Sequence, residues 1–386
     1  MRVELKTVTP VHVGSGGKYG GAEIFRVREG YARTGIRDVV SLLEGRAYED
    51  FLYEVEEPGF SLQKFMERHP LSPPARYTLK SSIPHPPGEV REIIRTGFDI
   101  PYIPGSTVKG AIRTALLWKA CRDDPSFPPE RLYSRNKRMI GKEIFEGILS
   151  TNSRRYDPKY DLLRFLEVSD FMPVKHFLYL EEFGTYSMSR NGIMAPKPFT
   201  IPCETLFARL EGTIRLSPEI EAAAGHRDLS LLEGKLPLLG LKKSDIRGLS
   251  DPLVLQAAEE KMTAHLRSVM RQFIEAALLH DLRLVSGSGA PSPLSTEIQT
   301  MQKKHAGMDL LRVGFSIGTT YQTVMDLIEE KDPDLASAII TDMKLGRYPR
   351  SYDGEALDPP YPKSIEFIRT NGELLMPGWV EWLPSS

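Results

Sequence analysis

Ser106, Lys109 and Arg113 stand three and four residues apart in the segment Ile103-Pro104-Gly105-Ser106-Thr107-Val108-Lys109-Gly110-Ala111-Ile112-Arg113. On a helix that spacing puts all three on one face. The segment reads as a strand end at Pro101 to Ile103, a glycine turn, and a helix that opens on a hydroxyl. Ser106 or Thr107 can cap the helix by accepting a backbone N–H bond. A helix start with free N–H groups and two neighbouring cations is an anion site, and phosphate is the usual anion. Val108, Ile112, Ala115 and Leu116 form a second face suited to packing on a sheet. Gly105 and Gly110 have the glycine spacing of an ATP-binding loop, but Ala111-Ile112 stand where Lys-Ser/Thr is required, and Lys109 comes one residue early. An ordinary strand–turn–helix with solvated cations fits the same residues.

Two more glycine segments follow a strand pattern. The first, after Val3, Leu5 and Val8, is Thr9-Pro10-Val11-His12-Val13-Gly14-Ser15-Gly16-Gly17. The second is Leu311-Arg312-Val313-Gly314-Phe315-Ser316-Ile317-Gly318-Thr319-Thr320, with a helical pattern through Leu327. Glycine reaches positive φ and lets another backbone come close. Three such elements suggest a backbone-on-backbone surface, as between protein and a nucleic-acid strand.

The elements that must position these segments belong to a chain of 386 residues, enough for one large or two medium domains. A hydrophobic content of 41% supports a sizeable core. The net charge of −1 excludes a uniformly basic nucleic-acid binder, so any such surface is a local patch. Cys121 and Cys203 lie too far apart in sequence to suggest a disulfide framework or a thiolate zinc site. No run of 18 apolar residues exists and the chain enters a strand at once, which predicts a cytoplasmic protein without a membrane partner. Thirty prolines and 31 glycines imply many turns and ordered loops.

Residues 2–34 read as strands, and Ile36–Leu43 as a short helix. Residues 45–95 are Pro-rich and read as an insertion with irregular segments. The helix at 106–121 follows, then strand-like runs at Phe165–Phe171 and Phe177–Leu180. Thr200–Arg215 alternates apolar and polar residues as a half-buried strand. Beyond Leu216 the composition turns helical, with Leu255–His280 the best helix. Ser286–Pro293 reads as a flexible loop. A last strand is expected around Ser364–Arg369. The alternation predicts an α+β fold, with a boundary between residues 1–216 and 217–386.

The three glycine blocks, read together with Glu167-Val168-Ser169-Asp170-Phe171 and Gly378-Trp379-Val380, resemble the RAMP superfamily of CRISPR-associated proteins. Within it the chain is most similar to the type III-A Csm-complex subunit that caps the backbone filament at the 3′ end of the CRISPR RNA. The resemblance covers the chain in separated blocks and leaves the insertions unmatched. It implies one or two ferredoxin-like (RRM-like) cores: an N-terminal one in 1–216, with the insertion near 45–95, and a helix-rich RAMP-like one in 217–386. It implies CRISPR RNA and target RNA as partners, together with other Csm-complex subunits, chiefly the backbone RAMP subunit. RNA would be held mainly by its backbone, near Gly14, Ser15, Gly16, Ser106, Lys109, Arg113, Gly314 and Gly318.

Some members of the superfamily are endoribonucleases, so a processing or trimming nuclease is the alternative. His12 has the chemistry of a general base for 2′-hydroxyl attack, or its ring satisfies a loop carbonyl. Asp38 falls near the start of a helical pattern, where an acid favours the macrodipole. Asp170 reads as a structural acceptor or the partner of an arginine. His176, His226, His265, His280 and His305 show no metal-ligand spacing. No catalytic residue, metal or cofactor is therefore expected. Arg135, Lys137 and Arg138 sit in a basic run from Arg131 to Lys142 that reads as an RNA-lining groove or a solvated face. Trp379 and Trp382 read as a tail docked into the core, with base stacking as the other reading.

Overall fold

A computed structural model describes residues 1–57, 59–124, 127, 130, 141–153, 157–188, 194–286, 292–345, 361–370 and 373–383. The first strands are β1 (Arg2–Thr7), β2 (Gly14–Gly20), β3 (Ile24–Val27) and β4 (Gly30–Arg33). Helices α1 (Ile36–Val40), α2 (Gly45–Glu54) and α3 (Leu62–Arg68) follow, then β5 (Tyr77–Lys80), β6 (Glu89–Ile93) and α4 (Gly105–Asp123). After α5 (Lys142–Leu149) come β7 (Leu166–Val168), β8 (Met172–Met188), β9 (Met194–Pro196) and β10 (Ile201–Leu216). The remainder is α6 (Glu219–Ala224), α7 (Leu232–Lys235), α8 (Pro252–Ser286), α9 (Ser292–Gly307), β11 (Leu310–Arg312), α10 (Met325–Lys331), α11 (Pro333–Asp342), β12 (Ser364–Thr370), β13 (Glu373–Leu375) and β14 (Trp379–Trp382).

The fold is α+β, as the alternation predicts. The main sheet runs β11-β14-β1-β10-β8-β5-β4-β3. β1 lies antiparallel to β10 with Leu5 opposite Leu210, and β10 pairs antiparallel with β8. β14 joins β1 to β11, so strands from both sides of residue 216 share one sheet. In β1 Val3, Leu5 and Thr7 are buried while Arg2 and Lys6 are exposed, the period-two signature of one covered face.

The covering layer is α4 and α8. Val108, Ile112, Ala115 and Leu116 are buried, as their spacing predicts, and Trp118 meets Phe273 with ring centroids 5.7 Å apart. In α8 the buried residues Ala258, Met262, Leu266, Val269, Phe273 and Ala277 step by three and four. Trp379 and Trp382 are also buried, so the tail docks into the core.

The Pro-rich stretch 45–95 is more ordered than its composition suggests. α1–α3 close a small core of Phe25, Ala32, Val39, Leu43, Phe51, Leu62 and Phe65. β5 and β6 enter the sheet, beside β8 and β10. They have only four and five residues, too few for a reliable period, and their neighbours decide their state.

These short strands are held by one carboxylate. Glu204 of β10 is fully buried. It accepts bonds from the hydroxyls of Tyr19 (3.0 Å) and Tyr77 (2.8 Å), the backbone N–H of Ile93 (3.0 Å) and the guanidinium of Arg95 (2.9 Å). Removing one partner of a buried ion pair strands the other. Glu204→Ala is expected to lower stability by roughly 3–5 kcal/mol. Urea unfolding checks this as a lower midpoint at an unchanged slope.

Candidate nucleic-acid interface

α4 starts at Gly105 after Pro104, whose φ of −58° suits the entry, and no side chain of its own caps it. The structure corrects the expected cap by Ser106 or Thr107: the Gly105 N–H donates instead to Asp170 Oδ1 at 2.9 Å. Both hydroxyls already lie within the first turn, whereas Asp170 arrives from the β7–β8 connection and satisfies the positive helix end. A Cβ on Gly105 would stand 2.2 Å from the Val168 carbonyl oxygen and 2.5 Å from that of Ser169. Only glycine allows this approach, so the residue serves helix-to-sheet packing.

The two helix cations face acids. Arg113 donates to Asp161 Oδ2 at 2.7 Å, and Asp161 also caps the Leu163 N–H at 2.8 Å. Lys109 is half-buried. Burial lowers its pKa, against the fields of Asp161 and Glu167 and with that of Arg113.

The three glycine segments converge. The His12 carbonyl accepts the Phe315 N–H at 2.7 Å. Gly314 has φ +96°, and a Cβ there would lie 2.4 Å from the same carbonyl oxygen. The Gly378 N–H donates to Pro10, and the Val313 N–H to Gly378. Between these loops and α4 runs a groove of about 490 Å³, lined by Thr107, Gly110, Ala111 and Thr114 of α4 and by Val13, Gly14 and Arg312 to Phe315 of the loops. Gly110 lines it in mid-helix with nothing within 4 Å of where a Cβ would be. A helical glycine costs about 1 kcal/mol relative to alanine, and no packing within the described residues requires it.

Gly14 and Gly314 thus both line the groove, while Ser106, Lys109 and Arg113 are not among its lining residues. Ser15 and Gly16 sit in β2, where its pairing with β6 shifts register between Gly14 and Lys18; the Ser15 hydroxyl donates to Glu92 at 3.1 Å and Gly16 has φ +87°. Gly318, at φ +82°, looks toward Glu366. Arg135, Lys137 and Arg138 lie outside the described residues.

Two arginines near the groove escape the sequence reading. Arg91 of β6 lies 4.5 Å over the Phe315 ring. Arg312 is buried, donates to the Pro377 carbonyl at 2.9 Å, and lies over Tyr321 and Trp379. Arg312 adjoins the glycine motif and was legible by position. Arg91 sits in the Pro-rich stretch, where nothing marks it.

His12 is enclosed. Its ring packs edge-on against Phe183 and Phe315, and Nδ1 lies 2.7 Å from the Glu204 carbonyl oxygen. Burial lowers its pKa, opposed by that carbonyl and the Glu204 charge. Asp38 is in the first turn of α1. Among the described residues no group of three or more His, Cys, Asp or Glu is placed to hold a metal ion, and no helix is long and apolar enough to cross a membrane.

The family model of the RAMP superfamily matches residues 4–237. A curated relative, described as the CRISPR system Cms protein Csm5 of Streptococcus thermophilus, is 29% identical over 192 residues, which cover 41% of this chain and 52% of that protein. The match therefore spans about half the length of that relative. Among solved structures, a chain of the cryo-EM structure of a Csm–crRNA–target RNA ternary complex in a type III-A CRISPR–Cas system has a TM-score of 0.70 at 20% identity, covering 99% of this chain and 100% of that one. The crystal structure of T. onnurineus Csm5 has a TM-score of 0.63 at 20% identity, covering 98% and 99%. These likenesses show a shared fold.

The buried ring makes a pH-dependent contribution. In the unfolded chain His12 takes up its proton near pH 6.5, while the folded chain resists it. Stability from this group is present above that pH and lost as the pH falls through it. The stability advantage of the wild type over His12→Leu is expected to narrow between about pH 7.5 and pH 5.5. Paired urea titrations at both pH values check it, since the other histidines are common to both proteins.

Proposed function

Because the chain belongs to the RAMP superfamily, we propose that it is an RNA-binding subunit of a type III-A Csm effector ribonucleoprotein. In this reading it binds CRISPR RNA toward the 3′ end, caps the backbone filament and does not itself cut RNA. Its partners are that RNA, target RNA and the neighbouring backbone subunit. The observation that carries the reading is the groove itself. Three separate glycine segments line or wall one channel, and Gly110 leaves its floor open where the protein gains nothing from the gap. A nucleic-acid backbone held without reading its sequence needs such close approach, beside cations that meet its phosphates.

The non-catalytic part of the reading is supported by His12. A general base must reach the proton it removes, and this ring is 2% exposed with one nitrogen engaged by a carbonyl. The net charge of −1 argues for modest binding by the chain alone. A neighbouring subunit then completes the site.

The groove reading separates stability from binding. Gly110→Ala is expected to raise stability by about 1 kcal/mol and yet to reduce RNA retained per assembled complex. Lys109→Ala is expected to lower the salt slope of RNA binding by roughly 0.7, because one fewer phosphate of a single strand is neutralised. Thermal melts, RNA quantification after affinity purification and a KCl titration measure these. Unchanged RNA retention and salt slope in both variants would overturn the reading.

A further inference from the structure

β8 leaves a stretch of the sheet uncovered. Leu178 and Leu180 point into the core shared with α4, as do Leu206 and Leu210 of β10. The alternate residues of β8 therefore face the other way: Lys175, Phe177 and Tyr179. Phe207 stands opposite Phe177, and Arg209 opposite Lys175. Lys80 of β5 is level with Tyr179, and Lys6 of β1 is level with Arg209.

This outer face pairs an open ring with unpaired charge. Phe177 is 44% exposed in a strand with neighbours on both edges. The ammonium groups of Lys80 and Lys175 lie 5.1 Å and 5.5 Å from its centroid. The rings of Tyr179 and Phe207 meet edge to face at 5.4 Å and 71° beside it. On the same face Arg209 pairs with Glu4, and elsewhere Lys18 pairs with Glu89 and Arg76 with Asp99. Lys6, Lys80 and Lys175 are exposed, and none makes an ion pair within 4 Å among the described residues.

We propose that this face, centred on Phe177, is a stacking platform for a single-stranded stretch of RNA, separate from the glycine groove and on the side of the sheet away from α4. The proposal rests on the RNA-binding reading above. An apolar partner would have to desolvate three lysines to cover the ring. An acidic peptide would meet the lysines and gain little from the aromatic face. A nucleotide supplies both a π-face for Phe177 and a phosphate for the lysines. Lys80 and Lys175 meet the ring through an exposed cation–π attraction, which is weak enough to yield to phosphate.

The test uses the full chain, a fluorescein-labelled oligouridylate at low salt, and the same RNA carrying 5-iodouridine for photocrosslinking. Phe177→Ala is expected to weaken binding roughly tenfold, Phe177→Tyr to bind as wild type, and Lys80→Ala and Lys175→Ala each to lower the salt slope by roughly 0.7. Crosslinks are expected at Phe177, Tyr179 or Phe207. Wild-type affinity in Phe177→Ala, alongside weaker binding in Gly110→Ala and Lys109→Ala, would overturn the platform and leave the groove reading standing. No binding by the wild-type chain alone would overturn the platform, while the groove reading stands or falls on RNA retained by the assembled complex. Normal RNA binding by Phe177→Ala with loss of a co-purifying subunit would make the face a protein interface and overturn the platform.

Discussion

Glu204 is a charge taken wholly out of water near the start of β10, and four donors from three other parts of the chain must reach it. Burying a carboxylate is tolerable only when it is paired and its lone pairs are filled. That requirement brings Tyr19 from β2, Tyr77 from β5, and Ile93 and Arg95 from β6 and its end to one point. The same residue's carbonyl holds His12, and the His12 carbonyl holds Phe315. A chain of contacts therefore runs from the carboxylate to the wall of the groove. The groove's shape depends on a charge that lines no part of it.

Much of the molecule's positive charge is spent internally. Asp170 takes the N–H at the start of α4, Asp161 takes Arg113, and Asp309 takes Arg267 and Arg271. This is how a chain of net charge −1 can still offer local cationic surface. What is left for a polyanion is decided by which lysines and arginines lack an acid nearby. Arg91 over Phe315 and the lysines around Phe177 share one pattern, a cation beside an aromatic ring with no carboxylate paired to it among the described residues.

The glycines divide by what surrounds them. Gly105 and Gly314 are required by the protein, since a Cβ at either would overlap a backbone carbonyl. Gly110 is required by nothing within 4 Å. In one case the missing side chain lets strand and helix touch. In the other it leaves the helix surface open along the groove.

Periodicity was legible wherever an element was long enough to show it. The alternation in β1 and β10, the buried faces of α4 and α8, and the α+β class all follow from side chains repeating every two or every three to four residues. The glycine motifs and the family they resemble could also be read directly, because a turn that needs glycine announces it locally. Ser106, Lys109 and Arg113 do share a helix face, as their spacing requires. Sequence could not tell that Asp170 and Asp161 come from distant segments to meet that helix, so it left its cations looking free. Nor could it place β5 and β6, whose four and five residues carry no period and whose state is set by Glu204. The groove, Arg91 at its edge and the open face around Phe177 belong to the tertiary structure alone, because each is a juxtaposition of strands and loops far apart in the chain, and pairing register, not local propensity, decides which side chains meet.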